Sequence, residues 1–427
     1  MFENKKDNQV FKLPFGLRDI FPSESRERNN IKGIIEREFK LWGYGEVKTP
    51  AIEYTKNISI GVGKNWENKL INFFDVNGSP VSLRTDMTIP IARLTGMRIK
   101  KSNLPVRFCY FADSFRQSEI QKGARRVCNQ AGLEFIGSSN GVMSDVEILV
   151  ILINILNGLS IGDYKIGFGH VEFIEGLCDW FKLNQEDREY IKRTISVKNF
   201  VALEDFLNKK NKEKAEIFMK LMQPESNIEK VCSLVSKIKE QKAIRSFNYL
   251  KEIYDILEKL DCGGHLITDF SIIRDFDYYT GLLFEVYCSS VTDILGSGGR
   301  YDGLIKKFGL DIPATGFALD IDLAHKAVEK MDLREERLKV LLKCQDNKNY
   351  VELIRMASKL RESGIIVELS FENISRLEDF ARAKDCDLLV EVEPDLENVE
   401  ITDLNKNTKR VKKTSVFMKE FRNEKRN

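Results

Sequence analysis

The sequence predicts an α+β fold: an antiparallel sheet core with flanking helices, an inserted helical subdomain and a small C-terminal α/β domain. Three observations carry this prediction. Leu282, Phe284 and Val286 alternate with Leu283, Glu285 and Tyr287 in a run of β-branched and aromatic residues, and similar strand-like runs recur before and after it. From about residue 173 to 260 the chain is almost wholly charged and helix-forming, with amphipathic sets such as Ile253, Ile256, Leu257 and Leu260. Beyond a charged linker at Met331 to Arg337, short strands alternate with amphipathic helices. The expected limits are a disordered 1–10, a main domain 11–330 that contains the insertion, and a small domain 338–427.

Taken in order, structure is expected to begin at Lys12-Leu-Pro-Phe-Gly-Leu-Arg-Asp. Ser23 reads as the cap of a helix carrying Ile31, Ile34, Ile35 and Phe39, stopped by Gly43. A strand follows over Tyr44 to Pro50, then a hairpin turning at Asn77-Gly78, which delivers Leu83-Arg-Thr-Asp-Met-Thr to a strand end. Pro90 is expected to open the next helix. Val106 to Phe115 and Gln130 to Ile136 read as paired strands joined by a polar loop with Arg125 and Arg126, a platform for an anion. Ser144-Asp-Val-Glu147 has the form of a capping box ahead of a very apolar helix ending near Gly158. Its apolar run, Ile148 to Leu156, is too short to cross a bilayer and reads as a core helix.

Ile166 to His170 is one more strand before the helical insertion, and strands return over Leu266 to Tyr287. Gly296-Ser-Gly-Gly-Arg-Tyr-Asp-Gly reads either as a loop that lets backbone approach a ligand or as a bare tight turn. The C-terminal pattern is strand 339–342, helix 350–363, strand 365–369, helix 376–384 and strand 388–392. Its tail carries Lys406, Lys409, Arg410, Lys412, Lys413 and Lys419. A solvated edge is the first reading of that tail and RNA contact the second.

The densest chemistry precedes the strand at Leu282. Arg274, Asp275, Asp277, Tyr278 and Tyr279 provide a cation, two carboxylates and two phenols, a set able to hold a small zwitterion. The alternative is a Tyr-rich sheet end with surface charges.

Composition narrows the classes. The 427 residues, 42% hydrophobic and 31% charged, fit an ordinary globular protein of two or three domains. Lys plus Arg is 67 against 65 for Asp plus Glu, so a net charge of +2 exerts no general pull on nucleic acid or membrane. Eight scattered cysteines without a C-x-x-C pair, together with three histidines, suggest reduced thiols in a cytoplasm and neither metal nor cofactor.

Taken together, the stretches above resemble the histidyl-tRNA synthetase-like class II synthetase fold in the order and spacing of several motifs. Gly43 to Pro50 with Glu53 is similar to the family's first motif, at the dimer interface, and Phe115-Arg116 through Gln130-Ala-Gly-Leu-Glu134 to its second. Arg274 to Gly281 resembles the histidine-binding signature, and Gly298-Gly-Arg-Tyr with Pro313 to Ala318 the approach to the third motif. The resemblance implies a histidine pocket made by Asp86, Thr88, Arg116, Gln130, Glu134, Arg274, Tyr278 and Tyr279.

Departures from the synthetase pattern fall on the nucleotide side. Leu-Arg-Pro-Glu-Gly-Thr becomes Leu83-Arg-Thr-Asp-Met-Thr88, with Met87 where glycine allows close approach. Ser118 stands where a glutamate helps hold adenine, and Leu323 where an arginine grips the γ-phosphate. This is the profile of the synthetase paralogues that serve as regulatory subunits of ATP phosphoribosyltransferase in histidine biosynthesis. The resemblance implies a non-catalytic chain without tRNA charging. Such a chain assembles with a short catalytic subunit in a hetero-octamer and takes L-histidine as effector. An active histidyl-tRNA synthetase is the alternative, and a ligand-free dimerising scaffold a third reading.

Overall fold

The computed structural model describes residues 12–62, 69–117, 125–273, 278–328, 337–344, 349–371 and 374–421. The predicted disorder of 1–10, Ser118, Arg274, Asp275, Asp277 and most of the charged linker lie outside the described residues. The chain divides into two compact units, Met1–Asp332 and Leu333–Asn427.

In the first unit α1 (Pro22–Leu41) leads to β1 (Gly45–Glu46), β2 (Ile52–Tyr54), α2 (Thr55–Gly61), the hairpin β3 (Asn72–Phe74) and β4 (Pro80–Leu83), and α3 (Thr88–Arg98). The long pair β5 (Val106–Phe115) and β6 (Val127–Ile136) follows, then α4 (Gly141–Gly158) and β7 (Tyr164–His170). Six helices come next: α5 (Val171–Phe181), α6 (Gln185–Ser196), α7 (Phe200–Lys210), α8 (Lys212–Leu221), α9 (Ile228–Val235) and α10 (Gln241–Lys259). The unit ends with β8 (Leu266–Thr268), β9 (Leu282–Cys288), β10 (Gly296–Arg300), β11 (Ala314–Asp320) and α11 (Ile321–Ala327).

Eight strands make one sheet, in the order β1-β5-β6-β11-β10-β9-β7-β8. It is antiparallel except where β1 meets β5 and β7 meets β8. Because side chains alternate across a strand, each strand divides cleanly between two faces. Ala131, Leu133 and Phe135 of β6, Phe317 and Leu319 of β11, and Leu282, Phe284 and Val286 of β9 enter the main core with α1, α4 and the helical insertion. Gln130, Gly132 and Glu134 fall on the opposite face. By length and composition α4 is apolar enough to cross a membrane, but it packs against α1 and α10 and lies on β6 and β11, with ten of its residues buried.

Several expectations are corrected. Helix α1 starts at Pro22 with Phe21 as its unassisted N-cap, so Ser23 lies inside the first turn. Asn140 caps α4, accepting from the Met143 amide, because the groups of the supposed capping box are engaged elsewhere. Ser144 donates to the Asn140 carbonyl and accepts from Arg300, and Glu147 takes Tyr44 and Arg107. Pro90 sits within the first turn of α3 and does not open it. Only Gly45 and Glu46 of the Tyr44–Pro50 segment pair as a strand. The glycine-rich 296–300 stretch is a strand, β10, bonded on both sides.

That strand carries a buried ion pair. The Arg300 guanidinium bonds Asp145 at 2.8 Å and 3.2 Å and the Gly141 carbonyl and Ser144 hydroxyl at 2.7 Å each, while Tyr249 of α10 donates to Asp145 at 2.6 Å. Sheet, helix α4 and the insertion therefore meet on one charge pair.

The second unit holds β12 (Lys339–Cys344), α12 (Tyr350–Glu362), β13 (Ile366–Ser370), α13 (Leu377–Ala383), β14 (Leu388–Val392), β15 (Asn398–Asp403), β16 (Thr408–Lys413) and α14 (Thr414–Glu420). Its strand order is β13-β12-β14-β15-β16, parallel through β14 and antiparallel beyond. The last two strands and α14 extend the predicted α/β pattern.

Removing one partner of a buried pair strands the other charge, which costs about 3–5 kcal/mol. Asp145→Ala is therefore expected to lower unfolding free energy by about that amount in urea titration, and a loss below about 1 kcal/mol would contradict the role given to the pair.

Candidate functional site

The site lies on the sheet face turned away from the main core. One row of the register reads Tyr110, Gly132, Ala318, Ser297, Glu285, Gly167 across β5, β6, β11, β10, β9 and β7. The three central side chains are small or missing, so the sheet leaves a depression there with Tyr110 on one wall. Glycine is required in the next row: a Cβ on Gly316 would collide with the Glu134 carboxylate.

Two compartments share this floor. The inner one, about 40 Å³, is lined by Asp86, Thr88, Arg116, Gln130, Glu134, Tyr278 and Tyr279, with Tyr110, Ser297 and Tyr301 among its other walls. Seven of the eight predicted pocket residues thus come together, although they arise from four separate stretches of chain. The outer compartment, about 360 Å³, shares Arg116, Gln130, Ser297 and Ala318 with the inner one and adds Arg125, Arg126, Cys128, Asp320 and Leu323.

Burial controls the inner electrostatics. Glu134 receives the Thr88 hydroxyl at 2.8 Å and the Tyr301 hydroxyl. Desolvation outweighs these two bonds, and together with the nearby Asp86 charge it pushes the Glu134 carboxyl up to about 8. Burial likewise raises Asp86 to about 6, against the opposing bonds from the Ile89 amide at 3.3 Å and the Tyr278 hydroxyl at 3.1 Å and the charge of Arg116. The Gln130 side-chain carbonyl is buried without a hydrogen-bond partner, an acceptor turned toward a donor that a ligand can supply. Tyr278 stacks obliquely on Tyr279 with centroids 4.7 Å apart and meets Tyr301 edge-on at 5.8 Å, forming an aromatic wall.

The outer compartment is basic but partly self-neutralised. Arg125 bonds Asp320 at 2.7 Å and Asp322 at 3.3 Å, and Asp322 also pairs with Arg28 of α1. Leu323 is buried in the first turn of α11, its amide donating to Asp320 at 3.0 Å, and gives this wall an aliphatic surface. Met87 behaves differently from expectation. It does not line the inner compartment; it is buried in the neighbouring apolar cluster, where its sulfur accepts from the Thr49 hydroxyl at 3.5 Å.

Glu53, predicted at a dimer interface, is buried and bonded by Arg93 of α3 at 2.6 Å and 2.9 Å, while Pro50 is exposed beside it. Sequence reasoning missed Tyr301 and Tyr110. Tyr301 sat in the motif read as a loop. The alternation of β5, with Cys109 and Phe111 on the core face, is the signal that points Tyr110 toward the site.

Comparison with known proteins agrees with this geometry. Residues 16–324 match the family model described as histidyl-tRNA synthetase. The ATP phosphoribosyltransferase regulatory subunit of Clostridium botulinum (strain 657 / Type Ba4) is 34% identical over 84% of this chain and 86% of its own. That of Clostridium novyi (strain NT) is 30% identical over 92% and 94%. A Bacillus halodurans structure described as an ATP phosphoribosyltransferase regulatory subunit/histidyl-tRNA synthetase superposes with a TM-score of 0.79 at 26% identity, covering 90% of this chain and 98% of that one. Histidyl-tRNA synthetase from Nostoc sp. PCC 7120 shares the fold, with a TM-score of 0.79 at 18% identity over 96% and 99%. A class II synthetase-like sheet, a matched family model and close relatives over most of the chain lead to one conclusion: the chain belongs to the ATP phosphoribosyltransferase regulatory subunits, within the histidyl-tRNA synthetase family.

Proposed function

We propose that L-histidine binds in the inner compartment and extends into the adjoining outer one at Arg116, and that this chain joins a short ATP phosphoribosyltransferase catalytic subunit and brings histidine feedback to it. The observation that carries the reading is the buried, unmet Gln130 carbonyl between two buried carboxyls, a set that asks for a ligand with several donors and a positive charge. Histidine supplies an ammonium and a ring N–H, and its carboxylate suits Arg116. The outer compartment does not favour a triphosphate, because Arg125 is already held by two aspartates and Leu323 offers no charge.

The complex is a cytoplasmic hetero-octamer in which this chain forms a dimer. Support for self-association comes from the β2-β4-β3 sheet, which leaves Ile52, Tyr54, Phe73 and Phe74 exposed beside the Glu53–Arg93 pair. The small C-terminal domain carries a solvated basic edge.

Glu134 makes binding proton-linked. With its carboxyl near 8, the empty site is mostly protonated at neutral pH, and a ligand cation beside it favours the ionised form, releasing the proton. Calorimetry at pH 7 in buffers of different ionisation enthalpy is expected to show histidine binding with net proton release, and Gln130→Leu to weaken affinity about fivefold or more. No histidine-dependent exchange of pyrophosphate into ATP is expected. Addition of histidine should inhibit the catalytic subunit only when this chain is present. Absence of histidine binding would overturn the reading, and robust exchange would restore the synthetase alternative.

A second expectation concerns the ligand-free chain. A carboxyl raised from 4.5 to about 8 keeps its proton in the fold while the unfolded chain loses it, so stability falls as pH rises through that window. Glu134→Gln removes this dependence. Its stability relative to the parent should rise between pH 5 and 8, by at most about 1.4 kcal/mol per pH unit, and level off above pH 8. A difference independent of pH would mean that Glu134 is ionised in the fold.

A further inference from the structure

The connection between β8 and β9 is fixed at both of its described ends by side chains from distant parts of the chain. At one end the Tyr278 hydroxyl donates to Asp86 at 3.1 Å inside the inner compartment. At the other, Lys198 of the helical insertion donates to the Ser271 carbonyl at 3.0 Å and to its hydroxyl oxygen at 2.9 Å. Lys198 occupies the corner between α6 and α7 in a left-handed conformation, φ 55°, with its amide bonded to the Ile195 carbonyl, so the corner itself is fixed.

From Ser271 polar contacts continue inward. Its hydroxyl and amide donate to one oxygen of Asp269 at 2.6 Å and 2.9 Å. The Tyr287 hydroxyl lies 3.4 Å from the other Asp269 oxygen and donates to Glu285 at 2.8 Å. Glu285 is the register neighbour of Ser297, which lines both compartments. Ser271, Asp269 and Glu285 are all buried, so a polar layer runs from an exposed insertion corner to Glu285, the strand neighbour of the lining residue Ser297. Two glycines of β7 allow this layer to lie flat on the sheet: a Cβ on Gly169 would meet the Asp269 carbonyl at 2.6 Å, and one on Gly167 the Tyr287 ring at 2.8 Å. Phe270 adds an apolar contact to the insertion, stacking on Phe173 with centroids 3.8 Å apart.

A lysine that bonds a carbonyl in an exposed corner is commonplace and by itself implies only local stability. Here the carbonyl belongs to the segment that ends in Tyr278, and the continuation is buried and polar, where a lost partner is costly. We propose that Lys198 is a positioning residue through which the inserted helical subdomain sets the geometry of the ligand compartment. The proposal rests on the ligand-binding reading given above and adds to it the route by which contacts made on the insertion reach the site.

The test compares the full-length chain with Lys198→Met, which keeps the aliphatic stem, and with Lys198→Arg. Amide hydrogen exchange over Tyr278–Gly281 is measured first without ligand, where the Thr280 amide donates to the Arg300 carbonyl at 2.8 Å and provides a protected reporter. Lys198→Met is expected to speed that exchange severalfold while global unfolding shifts little, and Lys198→Arg to restore it. Histidine affinity should fall about three- to tenfold in Lys198→Met and recover in Lys198→Arg. Exchange that changes only around residues 196–200, or histidine affinity equal to that of the parent, would overturn the proposal. If the parent itself binds no histidine, the ligand reading fails, and the ligand-free exchange still decides whether Lys198 positions Tyr278–Gly281.

Discussion

The contact between Arg300 and Asp145 is the constraint on which the first unit depends. A guanidinium and a carboxylate taken out of water are tolerated only when almost every donor and acceptor is answered. Here the answers come from three elements: β10 supplies the cation, the N-terminal end of α4 the anion and two further acceptors, and α10 a phenol. The pair therefore specifies the angle at which sheet, core helix and insertion meet. His170 follows from it. Burial, with the Arg300 charge nearby, lowers its imidazole to about 4, and the neutral ring caps α5 by accepting from the Glu172 amide.

With that angle set, the free face of the sheet becomes a binding surface because its central residues are too small to fill it. Apolar walls would have left a dry cavity. Polar ones buried to the same depth hold carboxyls away from their ordinary ionisation, and Glu134 and Asp86 store a preference for cationic company. The same sheet face, one row outward, meets Arg125 with aspartates from its own chain. The two compartments therefore differ in what they ask of a ligand, although they share a floor.

Much of this was legible in the residues. The alternation of Leu282, Phe284 and Val286 assigned the faces of β9, and the order of the motifs brought Asp86, Thr88, Gln130 and Glu134 together before any distance was known. Misreadings share a physical cause. Ser144 and Glu147 have the spacing of a capping box, but tertiary partners bind both more strongly than the helix end does. Gly296 to Gly299 lack the side chains from which strands are recognised, and the close approach of neighbouring strands that makes glycine necessary there is visible only in three dimensions. Met87 was read from its place in a motif as standing where glycine would allow close approach, yet its side chain turns into the neighbouring apolar cluster. The edge strand β16 was overlooked because its lysine-rich sequence resembles a solvated tail, and its neighbour β15 was overlooked with it.

The edge strand β16 has a consequence for how the protein behaves in concentrated solution. Among the described residues, one side of its backbone ladder faces no neighbouring strand in the second unit, which is the arrangement that invites another chain to add to the sheet. Lys409, Arg410, Lys412 and Lys413 line it, and two copies approaching edge to edge would bring like charges together within a few ångströms. That repulsion is kinetic protection against fibre-like stacking, and it weakens as salt shortens the Debye length below about 10 Å. The basic edge thus opposes edge-to-edge pairing most strongly at low ionic strength, although Lys409 and Lys412 are themselves paired with Glu378 and Glu420.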